Sequence, residues 1–172
     1  MSTIRIVLAD DHELVLEGLR SLIEAEGDLQ VVATATTGEQ LLEAVRRHAP
    51  DVAVLDLEMG ELGGLRCLEL IRERHPRVRV LVLTAYSDGE SMRAALEGGA
   101  AGFALKTEPP QQTVASIRQV HRGHLVFPLA ARRWLLRGGA PRSRGRSRSA
   151  RRRSWRWWPR GSPTRRSPSA CG

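Results

Sequence analysis

Short apolar runs recur five times in the first 125 residues, and each is followed by a segment with apolar residues at helical spacing. Ile4 to Leu8 leads to Asp10 and Asp11, then to Leu14, Leu16, Leu19, Leu22 and Ile23. Val31-Val32 precedes Leu41, Leu42 and Val45, and Val52 to Leu55 ends at Asp56 before Leu65, Leu68, Leu70 and Ile71. Val78 to Leu83 ends at Thr84 before a helix around Met92 to Leu96. Gly102 to Leu105 ends at Lys106 before a helix from Pro109 to about Val120. This alternation predicts an α/β fold, a five-stranded parallel doubly wound sheet, because each crossover between parallel strands lays a helix on the sheet. Strands this uniformly apolar are buried on both faces. Thr37 with Gln40 three residues on predicts a helix start, and Gly98-Gly99 predicts a left-handed stop. His75-Pro76 and Ala49-Pro50 break helical continuation before the next strand.

The net charge of +8 hides two materials. Residues 1–128 carry all 19 acidic residues against 13 basic ones, a net of −6, whereas residues 129–172 carry 14 arginines, no acid and all four tryptophans. No run approaches the roughly 18 apolar residues of a membrane span, and the N-terminus lacks the pattern of a secretory signal, so a cytoplasmic protein is expected. Cys67 and Cys171 have no paired spacing, which speaks against a disulfide framework or a zinc module.

In open parallel sheets, ligands collect outside the carboxyl ends of the strands. That rule gathers Asp10, Asp11, Asp56, Thr84 and Lys106 at one edge. Three carboxylates that close together would repel one another and take up a proton, so they call for a cation. Mg²⁺, which accepts few carboxylates and keeps several waters, leaves a position open for a phosphoryl oxygen. Lys106 and Thr84 supply a point charge and a hydroxyl for a tetrahedral phosphate, and Asp56 can then act as an in-line nucleophile toward a phosphoryl donor.

Four segments carry a resemblance: Val7-Leu8-Ala9-Asp10-Asp11-His12, Val54-Leu55-Asp56-Leu57-Glu58-Met59, Leu81-Val82-Leu83-Thr84-Ala85 and Gly99 to Lys106. Residues 3 to 125 resemble the receiver domain of bacterial two-component response regulators of the NarL/FixJ (LuxR-type) group, whose fold is flavodoxin-like. The resemblance implies that Asp56 is the phosphoacceptor for a sensor histidine kinase. It also implies that Asp11, Asp56 and the main-chain carbonyl of Glu58 bind Mg²⁺ with help from Asp10. Thr84 and Lys106 would contact the phosphoryl group, Phe103 would be the ring that turns inward in response, and a homodimer would be a partner state.

The sequence departs from the family in two places. Met59-Gly60-Glu61-Leu62-Gly63-Gly64 lacks the family's proline and aspartate after the phosphoacceptor, which predicts a freer loop, and Glu58 adds a carboxylate two residues beyond Asp56. An aspartate-nucleophile phosphohydrolase is the enzyme alternative, but it would want aspartate where Glu58 stands. A flavin phosphate site is disfavoured because Asp10-Asp11 would repel it. His12 is expected at the surface on the first turn of a helix, and Cys67 is expected to pack among Leu65, Leu68 and Ile71.

Domain organisation is read as a receiver over 1–125, the start of a linker helix over 126–137 and a basic Arg/Trp-rich tail over 138–172 that is disordered by composition. Arginine interleaved with tryptophan can bind nucleic acid without sequence preference. The genetic code supports another origin. Moving the frame back by one nucleotide forces Trp158 and Pro159 to Val and Ala. With permitted codons Ser154 to Gly172 then becomes V-L-A-L-V-A-x-G-L-S-N-K-E-I-A-Q-R-L-R, which resembles the opening of a LuxR-type helix-turn-helix. The tail is therefore expected to be the frameshifted remnant of a specific DNA reader, with the shift between about Arg137 and Ser154.

Overall fold

The structure is a computed structural model and describes residues 3–85 and 89–128. Chain order runs β1 (Ile4–Ala9), α1 (Glu13–Glu24), β2 (Leu29–Ala35), α2 (Gly38–His48), β3 (Val52–Asp56), α3 (Gly64–Arg74), β4 (Arg79–Thr84), α4 (Gly89–Gly98), β5 (Gly102–Leu105) and α5 (Pro110–His121). The five strands form one sheet in the order β2-β1-β3-β4-β5, and every pair is parallel. The chain moves outward from β1 to β2 and then crosses back to β3. This reversal opens a crevice at the carboxyl ends of β1 and β3, where such sheets hold their ligands.

Strand period sorts the core into two layers. On β1, β3 and β4, residues Ile6, Leu8, Val52, Val54, Leu81 and Leu83 face one way and meet Leu16, Leu19 and Ile23 of α1 with Val114, Ile117 and Val120 of α5. The alternate residues Val7, Ala9, Ala53, Leu55, Val80 and Val82 face the other way, against Leu41 and Val45 of α2, Cys67, Leu68 and Ile71 of α3, and Met92 and Ala95 of α4. Fully burying each large aliphatic side chain contributes roughly 1.5–3 kcal/mol.

The expected elements are present, and three details differ. The second strand is longer than Val31-Val32 because it is an edge strand with alternating exposure, and its register slips opposite Ile6/Val7, so that Val31 and Ala33 are paired while Val32 is passed over. Thr37 Oγ1 accepts the Gln40 N–H at 3.3 Å as expected, but the Gln40 side chain reaches past Thr37 to accept the N–H of Thr36 at 2.9 Å. Ala49 holds the left-handed turn before Pro50 with φ of 42°, and Gly99 does so after α4 with φ of 98°.

The third difference lies after α5. Gly123, with φ of 91°, turns the chain back along the sheet, and Val126 forms a parallel bridge with Gly102. Residues 126–128, expected to begin a linker helix, are instead non-helical, and packing against the sheet continues past residue 125. The rest of the expected linker, 129–137, and the tail, 138–172, lie outside the described residues. Among the described residues no helix is long and apolar enough to cross a membrane.

Candidate functional site

β1 and β3 are adjacent and in register, so the residues that follow Ala9 and Leu55 arrive side by side. Asp10 and Asp56 are 1% and 2% exposed, far below what an acid tolerates without a partner. Their partner is the chain's single lysine. Lys106 follows β5 and its amide N–H donates to the Thr84 carbonyl at 2.9 Å, which ties the end of β5 to the end of β4. Its Nζ lies 2.7 Å from Asp56 Oδ2 and 2.6 Å from Asp10 Oδ2. Burial weakens the ammonium, but the bonds to Asp10 and Asp56 more than offset this and hold the Lys106 pKa above the usual lysine value.

The contact with Asp10 Oδ2 is an ion pair to a carboxylate oxygen that is fully buried. Asp10 Oδ1 accepts the His12 amide N–H at 2.9 Å. Asp56 Oδ1 accepts the Glu58 amide N–H at 3.2 Å. Ligand atoms of Asp10, Asp11, His12 and Asp56 lie within 4.8 Å of one another. Carboxylate oxygens in that number, already gathered around one ammonium, suit a hard divalent cation. Glu58, two residues beyond Asp56, is exposed and is not part of that group.

Thr84 is buried at the end of β4, one residue beyond Leu83, the partner of Asp56. Phe103 is 1% exposed in the α2–α3–α4 layer and stacks on Phe127 with ring centroids 5.9 Å apart. The structure thus brings Asp10, Asp11, Asp56 and Lys106 together, with Thr84 at the adjoining strand end, whereas Phe103 lies lower on the same sheet face.

Two contributors were underrated or missed. His12 is at the surface as expected, at the N-cap position just before the first turn of α1 and without a side-chain cap, and its Nδ1 lies 2.7 Å from Asp11 Oδ1 and 3.1 Å from Asp10 Oδ1. Its position directly after the acidic pair was the available signal. Phe127 had no signal of its own, being a lone ring in a segment read as linker. Cys67 packs as expected beneath Gly38, where a Cβ would lie 2.7 Å from its Sγ, and burial followed by the Glu39 charge pushes its thiol up to about 11.

The loop after Asp56 explains how α3 approaches so closely. Gly60 and Gly63 take positive φ, Met59 is buried, and the Gly64 amide N–H donates to the Leu57 carbonyl at 3.0 Å. A model of the response regulator receiver domain matches residues 6–118. This chain belongs to that family.

The receiver is of NarL/LuxR type. It is 38% identical over 126 residues to an uncharacterized transcriptional regulatory protein, YhcZ, of Bacillus subtilis, covering 73% of this chain and 58% of that one. It is 39% identical over 121 residues to the oxygen regulatory protein NreC of Staphylococcus haemolyticus, covering 69% and 55%. Among solved structures, a LuxR-family two-component response regulator from Aurantimonas sp. SI85-9A1 superposes with a TM-score of 0.75 at 31% identity, covering 80% of this chain and 98% of that one. The signal receiver domain of a NarL response regulator from Mycobacterium tuberculosis gives 0.70 at 32% identity, covering 72% and 100%. The chain spans a little over half the length of the curated relatives it matches. The family works mainly in signalling.

Proposed function

We propose that Asp56 accepts a phosphoryl group from the phosphohistidine of a sensor histidine kinase, and that the receiver passes on that event as the input of a transcriptional regulator. The observation that carries this reading is Lys106 Nζ held between the buried carboxylates of Asp10 and Asp56 at 2.6 and 2.7 Å. Asp10, Asp11 and Asp56, with the Glu58 main-chain carbonyl, would hold Mg²⁺. When bound, the ion supplies charge neutralisation at the transferring phosphoryl oxygens.

The chain's own residues do the rest. A carboxylate oxygen of Asp56 attacks phosphorus in line, the P–N bond breaks, and its electron pair returns to the imidazole. Glu58 N–H and Lys106 fix the orientation of the Asp56 carboxylate, so the nucleophile is already positioned. Lys106 follows the charge outward onto the phosphoryl oxygens, and the Thr84 hydroxyl donates to another. Glu58 adds an exposed negative charge two residues beyond Asp56, which disfavours an approaching phosphoryl anion. The phosphohydrolase alternative would want aspartate as its general acid where this chain has Glu58.

Acetyl phosphate with Mg²⁺ is expected to add one phosphoryl group to the wild-type protein by intact mass and none to Asp56→Asn. An unmodified wild type, or a modified Asp56→Asn, would overturn the assignment. We further read 138–172 as the out-of-frame remnant of a DNA-binding domain, a reading supported by the transcriptional regulators among the relatives. Resequencing across codons 130–175 tests it: a frame that closes into an uninterrupted helix-turn-helix makes the tail an artefact, whereas the frame as given leaves the receiver without that reader. In that case the arginine-rich tail is the candidate nucleic-acid arm, to be tested by salt-dependent binding.

A further inference from the structure

His12 follows the acidic pair directly in sequence, and the start of α1 fixes where its ring goes. Its main-chain N–H donates to Asp10 Oδ1 at 2.9 Å, while its carbonyl accepts the N–H groups of Val15 and Leu16 at 3.0 and 3.2 Å. The ring takes no part in capping the helix. It lies against the carboxylates instead, with Nδ1 2.7 Å from Asp11 Oδ1 and 3.1 Å from Asp10 Oδ1. Among the described residues the other histidines, His48, His75, His121 and His124, stand outside this group.

These spacings are those of ligands that share one ion. Octahedral ligands at roughly 2.1 Å from a metal lie about 3 Å apart when adjacent and about 4.2 Å apart when opposite. The two Nδ1 distances match the first figure. One ligand atom from each of Asp10, Asp11, His12 and Asp56 falls within 4.8 Å of all the others, close to the second. In the neutral ring with its proton on Nε2, Nδ1 presents a lone pair toward the carboxylates. The His12 side chain is 67% exposed, so an ion reaches that atom from solvent without displacing the core.

Charge and donor type act separately here. Three carboxylates, Asp10, Asp11 and Asp56, against the one ammonium of Lys106 leave a formal charge of −2, which any divalent cation neutralises equally well. A neutral nitrogen adds no charge, so its worth depends on the metal. Mg²⁺ takes oxygen donors and holds its waters, whereas first-row transition cations bind imidazole with an affinity that climbs toward the end of the row.

We propose that His12 determines which metal this site takes: its Nδ1 joins the carboxylates of Asp10, Asp11 and Asp56 as a nitrogen ligand, so that a first-row transition cation of the Co²⁺ to Zn²⁺ class is bound in preference to Mg²⁺. Mg²⁺ still fits the site and is the weaker binder. This inference rests on the metal-assisted phosphoacceptor site proposed above and adds the identity of the metal.

The test titrates the full chain, without an affinity tag, with Co²⁺ and with Mg²⁺ by calorimetry. Co²⁺ is expected to bind the wild type at least about tenfold more tightly than Mg²⁺, and His12→Asn should lower that ratio by about tenfold, the scale on which groups that tune a metal site act. Proton NMR of the Co²⁺-loaded wild type should show a strongly shifted ring N–H resonance, which His12→Asn removes and His124→Asn keeps. A His12→Asn protein with the wild-type ratio, or a loaded wild type without the shifted resonance, overturns the assignment of His12. The mass gain from acetyl phosphate with Mg²⁺ is measured on the same samples. A gain without the histidine signature removes the nitrogen ligand and leaves the phosphoacceptor standing, whereas the signature without a gain removes the phosphoacceptor and leaves the nitrogen ligand.

Discussion

Lys106→Met is expected to lower the stability of the metal-free protein by about 3 kcal/mol, the scale on which breaking one side of a buried ion pair acts. Asp10 and Asp56 would keep their burial and lose their shared cation, leaving two buried carboxylates without a counter-charge. Mg²⁺ then has no resident ammonium to compete with. Added Mg²⁺ should raise the unfolding temperature more in the variant than in the wild type, as linkage requires for a ligand that binds the native state more tightly. Thermal unfolding with and without Mg²⁺ measures both effects, and an equal Mg²⁺ response in the two proteins would refute the competition. The pH dependence has a definite sign. The Lys106 pKa is raised on folding, so its contribution is complete below the ordinary lysine value of 10.5 and is lost as pH climbs through the higher folded value. The wild type should shed that stability in alkali, and Lys106→Met should show no such loss.

Gly64→Ala is expected to cost about 3 kcal/mol, at the upper end of ordinary overpacking. An added Cβ would press on the Asp56 carbonyl oxygen and lie 2.5 Å from Leu57 Cα. Both are backbone atoms at the strand end that carries Asp56, so neither can rotate away. The first turn of α3 would be pushed off β3, and phosphorylation by acetyl phosphate should slow along with the fall in stability. Gly18→Ala provides the opposite sign. Gly18 sits exposed within α1 with nothing within 4 Å of an added Cβ, so alanine there should stabilise by roughly 0.5–1 kcal/mol. Urea unfolding of the two variants separates the steric effect at Gly64 from the ordinary helix preference for alanine.

The architecture was legible because Val52–Leu55 and Val80–Leu83 are unbroken apolar runs and the helix between them has a clear period. The site was legible for a related reason: Asp10, Asp56, Thr84 and Lys106 are the first polar residues at or beyond the ends of those runs, and parallel strands bring such ends together. What stayed hidden depends on side-chain reach and edge pairing. Nothing in the order of residues shows that Lys106 spans both buried acids, or that the His12 ring folds back onto Asp11. The segment His124–Phe127 was the larger omission. Three apolar residues between a histidine and a proline carry no clear strand signal, and only the open edge of β5 gives Val126 and Phe127 a place to bind.

A receiver with one lysine has an uncommon chemical address. Acylating reagents and acyl-transferring enzymes that seek side-chain amines find a single target in this chain, and it is the ammonium that joins Asp10 to Asp56. While that ion pair is closed, the amine is protonated and a poor nucleophile. Its reactivity toward an amine-directed ester therefore reports how open the acidic site is, and an acyl group placed there would erase the positive charge on which the site is built.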